Sequence, residues 1–266
     1  MTNTFLKIAI YQMSAAIDAK TYTGRIKAAM HRAKSEGADL LIAPELAMTG
    51  YGQGEVLRDL AQPTDGPWVQ EFQAFASEID IGLVAGFPER DGDECYISAM
   101  CLHRDGTAPV IYRKSYLYGD YEKSLFQNNS LSTVITEYEG VNLGFLICYD
   151  VEFPENVRRL AQAGAEVVIV PTALPKGPDG HHIASRVIPV RAYESQVCVV
   201  YANHADADDR FHYQGMSCAY APDGSALVTA DAEGETLIYA NIDTAAYQAS
   251  TERNPYLADL GRMEQA

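Results

Sequence analysis

The stretch from Leu143 to Glu155, LGFLICYDVEFPE, constrains the possible folds more than any other part of this chain. Its apolar start is typical of a buried strand, and that strand is predicted to end on Cys148. A short acidic turn follows, and Pro154 stands where an amphipathic helix can begin. A thiol at the C-terminal end of a buried strand can meet a ligand at the open edge of a sheet. A lone cysteine in an apolar run is nevertheless more often an ordinary core residue.

Two further strands are predicted to end beside a charged side chain. The apolar run Ala38–Pro44 leads to Glu45, and the short run that begins at Ile111 leads to Lys114. Taken singly, Glu45 fits a surface-loop acid and Lys114 fits a solvated strand end. Taken together, a carboxylate, an ammonium and a thiol at three strand ends are the groups that covalent catalysis requires.

The order of the predicted elements indicates the fold class. Strands alternate with helices early and late in the chain, and the turns Arg104–Thr107 and Glu139–Gly140 predict hairpins between them. This pattern predicts an α/β protein with a mixed sheet covered by helices. The chain has 266 residues, 47% of them hydrophobic, and no linker or repeat divides it, so we expect one domain, residues 1–266.

Three motifs resemble those of the nitrilase superfamily, the carbon–nitrogen hydrolases that use a Glu-Lys-Cys triad. They are Pro44-Glu45 with Thr49-Gly50-Tyr51, Tyr112-Arg113-Lys114, and Cys148-Tyr149-Asp150 with Phe153-Pro154-Glu155. Within the superfamily, the chain resembles small aliphatic amidases, especially 5-aminopentanamidase-like enzymes. The resemblance covers essentially the whole chain and implies a four-layer α-β-β-α sandwich with mixed sheets.

The resemblance also implies a role for each of the candidate site residues. Cys148 is expected to attack an amide carbonyl and form a thioester, with Glu45 as the general base. Lys114 and the backbone N–H of Tyr149 are expected to stabilise the oxyanion. Glu122 is expected to line the site and help position substrate and lysine, although it also fits a solvent-facing loop acid.

Substrate-binding candidates lie next to these motifs. They are Tyr51, Tyr116, Tyr149, Glu152, Thr172 and Ala173, and the tyrosines fit ordinary core-edge positions equally well. The breaker-rich segment Pro175–His182 departs from the usual sequence of the branch and is a candidate for reshaping specificity. Its adjacent histidines do not predict a metal site, because neighbouring residues on a helix do not share one face. The acidic run Asp206–Asp209 fits a solvated turn better than a rim for an amine-bearing substrate.

Charge and cysteine usage exclude several classes of function. The net charge of −16 argues against nucleic acid and against an anionic membrane surface as partners. The five cysteines are scattered without a paired motif, so neither a disulfide framework nor a zinc site is expected. No cofactor is expected either. The absence of a signal-like or spanning segment favours a cytoplasmic location.

Alternative functions remain open at this stage. The first expectation is an amidase for small aliphatic or amino-substituted amides, and an N-carbamoyl hydrolase or a nitrilase is the second. A non-catalytic binding member of the fold is the remote alternative, although all three triad positions are filled. The resemblance also implies a homodimer or larger homo-oligomer, with Arg158, Arg159 and the tail Tyr247–Leu260 as interface candidates.

Overall fold

The computed structural model describes residues 5–15 and 21–264. Its strands within these ranges are β1 Phe5–Ser14, β2 Leu40–Ile42, β3 Gly82–Asp91, β4 Glu94–Leu102, β5 Val110–Arg113, β6 Ile135–Tyr138, β7 Val141–Phe145, β8 Val167–Thr172, β9 Cys198–Ala205, β10 Cys218–Tyr220, β11 Ala226–Thr229 and β12 Thr236–Asp243. Its α-helices are α1 Tyr22–Ser35, α2 Val56–Leu60, α3 Pro67–Ile79, α4 Gly119–Leu125, α5 Pro154–Gln162, α6 Pro178–His182, α7 Ile188–Ser195, α8 Gln248–Arg253 and α9 Tyr256–Glu264. A π-helix, Ile183–Val187, joins α6 to α7.

The strands form two mixed sheets that join at one point. The first has the order β12-β1-β2-β3-β4-β5, and the second has the order β6-β7-β8-β9-β10-β11. The central pairs β1–β2, β2–β3, β7–β8 and β8–β9 are parallel, and the outer pairs are antiparallel. The sheets meet where Met13 and Ser14 of β1 pair with His204 and Ala205 of β9.

Alternating side chains of β1 show how the layers stack. Leu6, Ile8 and Ile10 pack into a core that also contains the apolar residues of β8 and β9 from the second sheet. Ala9, Tyr11 and Met13 point the other way, into a core shared with α1 and α3. Because successive residues of a strand face opposite sides, β1 separates the space between the sheets from the helices outside. The layers are those of an α-β-β-α sandwich, as expected from the resemblance.

Two of the three strands that precede the candidate site residues end slightly earlier than the sequence indicated. The pairing of β7 stops at Phe145, three positions before Cys148, and that of β2 stops at Ile42, three positions before Glu45. Only β5 ends directly beside its functional residue, Lys114. Both early endings lead into turns with a residue at positive φ, which is incompatible with continued strand geometry.

No helix within the described ranges combines the length and the apolar character needed to cross a lipid bilayer.

Candidate active site

The loops after β2, β5 and β7 bring their charged and thiol groups to one buried place. Glu45 and Glu122 are fully buried, Lys114 is 1% exposed and Cys148 is 5% exposed. Lys114 Nζ lies 2.8 Å from Glu45 Oε1 and 2.7 Å from Glu122 Oε1. The structure therefore excludes the surface-loop and solvated-end interpretations of these side chains.

Lys114 is held as an ammonium between two carboxylates. Burial alone opposes the charged form of this side chain, but the negative charges of Glu122 and Glu45 together raise the pKa of Lys114 well above its usual range. A lysine with such a pKa cannot serve as a proton acceptor near neutral pH. It can instead offer a fixed positive charge to an anion that forms nearby.

Glu122 is the anchor for this ammonium. It lies in the first turn of α4, and both of its carboxylate oxygens accept hydrogen bonds from Lys114 Nζ, at 2.7 and 2.8 Å. The hydroxyl of Tyr51 donates to Oε1 at 2.8 Å, and the backbone N–H of Tyr118 donates to Oε2 at 2.7 Å. These four bonds fix the carboxylate, which leaves Glu122 suited to positioning rather than to proton transfer.

Glu45 has the features of a general base. Burial raises its pKa to about 7, against the opposing effect of the Lys114 charge. Its Oε1 accepts the lysine hydrogen bond, while Oε2 has no conventional hydrogen-bond partner within the described residues. The Cys148 thiol lies close enough to lower the carboxyl pKa by hydrogen bonding. A carboxylate with a pKa near neutrality beside a thiol can accept and return a proton.

Cys148 starts a 3₁₀ turn, Cys148–Glu152, and has an unusual backbone conformation, with φ of 46°. Non-glycine residues at positive φ are strained and concentrate at functional sites. Burial and the Glu45 charge raise the pKa of the Cys148 thiol well above its usual range, although Lys114 opposes them. The backbone N–H of Ala173 opposes this rise in the Cys148 pKa, since it favours the thiolate. The thiol therefore keeps its proton until a base removes it.

The turn that carries Glu45 depends on two residues that sequence reasoning missed. His204 Nε2 lies 2.7 Å from the backbone oxygen of Glu45, and burial lowers the histidine pKa to about 4, so the ring is neutral and donates here. A Cβ on Gly86 would lie 2.3 Å from the Leu46 backbone nitrogen, so only glycine fits there. Gly86 lies inside an apolar strand pattern, where an isolated glycine is a signal of close backbone approach.

A cleft of about 420 Å³ opens beside Cys148. It is lined by Tyr118, Cys148, Glu152, Leu174, Pro175, Lys176, Gly177, Pro178, Asp179, Gly180 and Ile183. Of the six predicted binding residues, only Glu152 is in this lining. The segment Pro175–His182, which the sequence marked as a departure from its branch, forms most of one wall.

The remaining predicted residues surround the site without lining the cleft. Tyr51 holds Glu122, as described above, and Ala173 contacts the Cys148 sulfur through its backbone. The Tyr116 ring stacks on Phe153 with centroids 4.3 Å apart, and Tyr149 packs edge-on against Tyr118 with centroids 5.3 Å apart. Thr172 is fully buried, and its hydroxyl has no conventional partner within the described residues.

The charged groups of the cleft are mostly acidic. The carboxylates of Glu152 and Asp179 form no ion pair within the described residues, and burial raises the pKa of Glu152. Lys176 pairs with Glu233 at 2.8 Å, at the rim. Arg191 donates to the backbone oxygens of Val151 and Glu152 and is not in the cleft lining. The cleft therefore offers carboxylates to a cationic group of a substrate. Its lining contains no unpaired lysine or arginine that could bind a substrate carboxylate.

The histidine and aspartate runs take structural positions. His181 and His182 are exposed on α6, and the described part of the chain contains no cluster of three His, Cys, Asp or Glu side chains suited to a metal ion. Asp208 closes a turn by accepting from the backbone N–H groups of Arg210 and Phe211, each at 2.8 Å, and from the Tyr213 hydroxyl at 2.5 Å.

Comparisons with known proteins give matches over most of the chain. The sequence model of the family described as Carbon-nitrogen hydrolase matches residues 7–251. The chain is 40% identical to a protein named "Hydrolase in pqqF 5'region" from Pseudomonas protegens, over 84% of this chain and 78% of that protein. It is 34% identical to an (R)-stereoselective amidase from a Pseudomonas species, over 83% of this chain and 79% of that protein.

Solved structures extend the comparison to the fold. An amidase from Nesterenkonia, described as a member of the nitrilase superfamily, superimposes with a TM-score of 0.83 at 29% identity, covering 96% of this chain and 98% of that one. The same amidase has been solved in complex with butyramide, and with the acetamide moiety of fluoroacetamide added covalently at its active-site cysteine.

The pKa of Glu45 makes the reactivity of Cys148 depend on pH. We expect the rate of Cys148 alkylation by iodoacetamide to fall as the pH drops through about 7, because protonated Glu45 can no longer accept the thiol proton. The Glu45→Gln variant should react slowly, with no inflection near pH 7. Peptide mass spectrometry distinguishes Cys148 from the four other buried cysteines. A rate that rises only above about pH 8, equally in both proteins, would show that Glu45 is not the base.

Proposed function

Because the chain belongs to the carbon–nitrogen hydrolase family and is therefore a hydrolase of non-peptide C–N bonds, we propose that it is an amidase with a Glu45-Lys114-Cys148 triad. The observation that carries this proposal is the buried array of Glu45, Lys114 and Glu122 beside a thiol that lines a cleft. The proposed catalytic unit is one domain, residues 1–266.

Acylation begins with proton transfer from the Cys148 thiol to Glu45. The sulfur attacks the amide carbonyl carbon, and the carbonyl π electrons move to oxygen to give a tetrahedral oxyanion. The Lys114 ammonium and the backbone N–H of Tyr149 stabilise this oxyanion. Glu45 then gives its proton to the amide nitrogen, the C–N bond breaks, and ammonia leaves a thioester on Cys148.

Deacylation uses the same residues in reverse order. Glu45, again a carboxylate, takes a proton from water as the water oxygen attacks the thioester carbonyl. Lys114 and the Tyr149 N–H stabilise the second oxyanion. The C–S bond breaks, Glu45 returns the proton to the Cys148 sulfur, and the carboxylic acid leaves.

The electrostatics of the site suit these two roles. A base with a pKa near 7 can both accept and donate protons at neutral pH, which Glu45 must do in each half-reaction. Lys114 keeps its charge throughout, because the Glu122 carboxylate still holds the ammonium while Glu45 carries a proton. Removal of one oxyanion donor typically lowers the rate by about 10²–10³-fold, so replacement of Lys114 by an uncharged residue should have at least this effect.

The cleft supports small neutral or amino-substituted amides as substrates. Its volume of about 420 Å³ suits a small molecule, and the Nesterenkonia amidase has been solved with butyramide. The unpaired carboxylates of Glu152 and Asp179 favour a substrate with a cationic group. An acid-bearing substrate would meet these carboxylates without an uncommitted lysine or arginine to pair with.

The charged groups of the cleft also bear on the alternative functions. An N-carbamoyl amino acid hydrolase needs a basic or polar anchor for the substrate carboxylate, and the cleft lining contains only Lys176, which pairs with Glu233. A nitrilase would use the same triad on a nitrile, so only a substrate panel separates it from an amidase. A non-catalytic role would not explain why Glu45, Lys114 and Glu122 are buried together, although burial of charged side chains is costly.

We expect a graded response to substrate charge among amides of similar length. 4-Aminobutanamide should have the highest kcat/KM, butyramide an intermediate value, and succinamic acid a value about tenfold or more below that of the amine, because the cleft carboxylates attract a cation and repel an anion. Ammonia release measures each rate, and Cys148→Ala should abolish all of them. The Glu152→Gln variant should reduce the ratio of amine to acid turnover.

The control for that ratio is Glu155→Gln, which removes the same charge from an exposed position outside the cleft and should leave the ratio unchanged. Preferential turnover of succinamic acid would overturn the substrate assignment and keep the amidase. Turnover of nitriles alone would make the protein a nitrilase, and no turnover of any substrate would support the non-catalytic alternative.

The exposed face of α7 and α9 supports the expected self-association. Tyr193 and Tyr256 are 38% and 40% exposed, and their rings pack edge-on with centroids 5.6 Å apart. Together with Arg158, Glu194, Asp259 and Leu260 they line a shallow depression of about 350 Å³. Arg159, by contrast, is held inside its own chain by Asn156, Ser132 and Thr133. We propose that this tyrosine face binds a second copy.

Light scattering tests this proposal. The wild-type protein should have at least about twice the 29.1 kDa mass of one chain, and Tyr193→Glu should shift it toward the monomer, because a new charge in place of the tyrosine ring is costly to bury between two copies. A wild-type protein that is monomeric at all measured concentrations would contradict the proposed dimer.

A further inference from the structure

Asp150 is a fully buried carboxylate that the proposed mechanism does not use. No lysine, arginine or histidine forms an ion pair with it within the described residues. A buried charge is costly unless hydrogen bonds compensate for it. Asp150 is compensated by donors from two chain segments, and these are the segments that carry Cys148 and Lys114.

The first set of hydrogen bonds closes the turn around Cys148. The backbone N–H of Ile147 donates to Asp150 Oδ2 at 3.1 Å, and the backbone N–H of Asp150 donates to the Ile147 oxygen at 3.0 Å. This reciprocal pair encloses Cys148, with its strained φ, and Tyr149. It therefore fixes both the direction of the thiol and that of the proposed oxyanion donor, the Tyr149 N–H.

The second set reaches across to the lysine segment. The backbone N–H of Tyr116 donates to Asp150 Oδ1 at 2.8 Å, and the Tyr112 hydroxyl donates to Oδ2 at 2.9 Å. Tyr112 and Tyr116 lie on either side of Lys114 in the sequence. One carboxylate thus links the residues before and after the ammonium to the turn that carries the nucleophile.

The two oxygens of Asp150 accept hydrogen bonds from different donors, and an asparagine in its place cannot accept all of these bonds. Oδ2 accepts from Ile147, from Tyr112 and, at 3.5 Å, from the backbone N–H of Ser115, while Oδ1 accepts from Tyr116. An asparagine has one acceptor oxygen and one NH₂ donor. Its oxygen would accept from the partners of one carboxylate oxygen, and its NH₂ would face the backbone N–H that donates to the other, either that of Ile147 or that of Tyr116.

We propose that Asp150 is a positioning residue that fixes Lys114 and the Tyr149 N–H relative to the Cys148 sulfur. The inference rests on the proposed triad, since it assigns to Asp150 the geometry that the triad requires. Burial raises the pKa of Asp150, and the nearby Lys114 charge opposes this shift, so the positive charge of the site also helps keep the carboxylate ionised.

The Asp150→Asn variant tests this proposal. We expect kcat per titratable Cys148 thiol to fall about 100-fold, because a misplacement of about 1 Å has effects of this size, with a smaller change in KM. The alkylation rate of Cys148 should also lose its inflection near pH 7, since the thiol no longer faces Glu45.

The control is Glu166→Gln, at a carboxylate outside this turn. Glu166 also accepts a backbone N–H, that of Asn142 at 3.0 Å. The control variant should lower stability without altering kcat per thiol.

A purely structural role predicts a different result. Asp150→Asn would then lower the melting temperature while kcat per thiol and the alkylation profile stayed at wild-type values, and this would overturn the proposal. Alkylation of Cys148 does not require turnover. An inactive wild-type protein would therefore refute the amidase function, and the pH profile of alkylation would still test the role of Asp150.

A second variant covers the case in which Asp150→Asn does not fold. Tyr112→Phe removes one donor from Oδ2 and keeps the turn around Cys148 closed. It should lower kcat by a smaller factor, about tenfold, with the alkylation inflection retained. A Tyr112→Phe protein with wild-type kcat would contradict the link between the two segments.

Discussion

The burial of the Lys114 ammonium between two carboxylates is the interaction on which the rest of the site depends. Breaking a buried ion pair by removing one partner is strongly destabilising, by about 3–5 kcal/mol, because an uncompensated charge remains. The stability of the fold therefore depends on Glu45, Lys114 and Glu122 remaining together. Tyr51 and the Tyr118 N–H donate further hydrogen bonds to Glu122, so both oxygens of this carboxylate are held by more than one donor.

This array determines how the protons of the site are distributed. Lys114 holds its proton, Cys148 retains its own, and Glu45 is the group whose pKa lies near neutrality. The nucleophile is thus not a preformed thiolate, as it is in enzymes that lower the pKa of a cysteine. In the proposed mechanism, the thiol becomes nucleophilic when Glu45 takes its proton. The carboxyl group then holds the proton that the leaving nitrogen requires.

The sequence was informative about the residues of the proposed triad because strand ends and short motifs are local features. The apolar runs before Glu45, Lys114 and Cys148 located all three residues within three positions of the ends of their strands. The same patterns predicted the hairpins and the helix that begins at Pro154. The layered arrangement came from the resemblance, because periodicity shows that a strand is buried without showing what covers it.

The parts that the sequence did not predict depend on contacts between distant segments. The positive φ of Cys148 has no pattern signal, since the residue is neither glycine nor asparagine. The hydrogen bond from His204 to Glu45 spans 159 residues, and the links from Asp150 to Tyr112 and Tyr116 span 38 and 34. The Pro175–His182 wall was visible as a run of breakers, but its place in the cleft depends on the turn after β8.

The most direct test of the account is a search for the acyl-enzyme. The protein is mixed with 4-aminobutanamide or butyramide, quenched in acid during turnover, and digested for mass spectrometry. We predict that the peptide containing Cys148 gains the mass of the acyl group, as a thioester that hydroxylamine removes, while ammonia accumulates. Ammonia release that continues unchanged in the Cys148→Ala protein, with no adduct on the wild-type peptide, would contradict covalent catalysis by this residue.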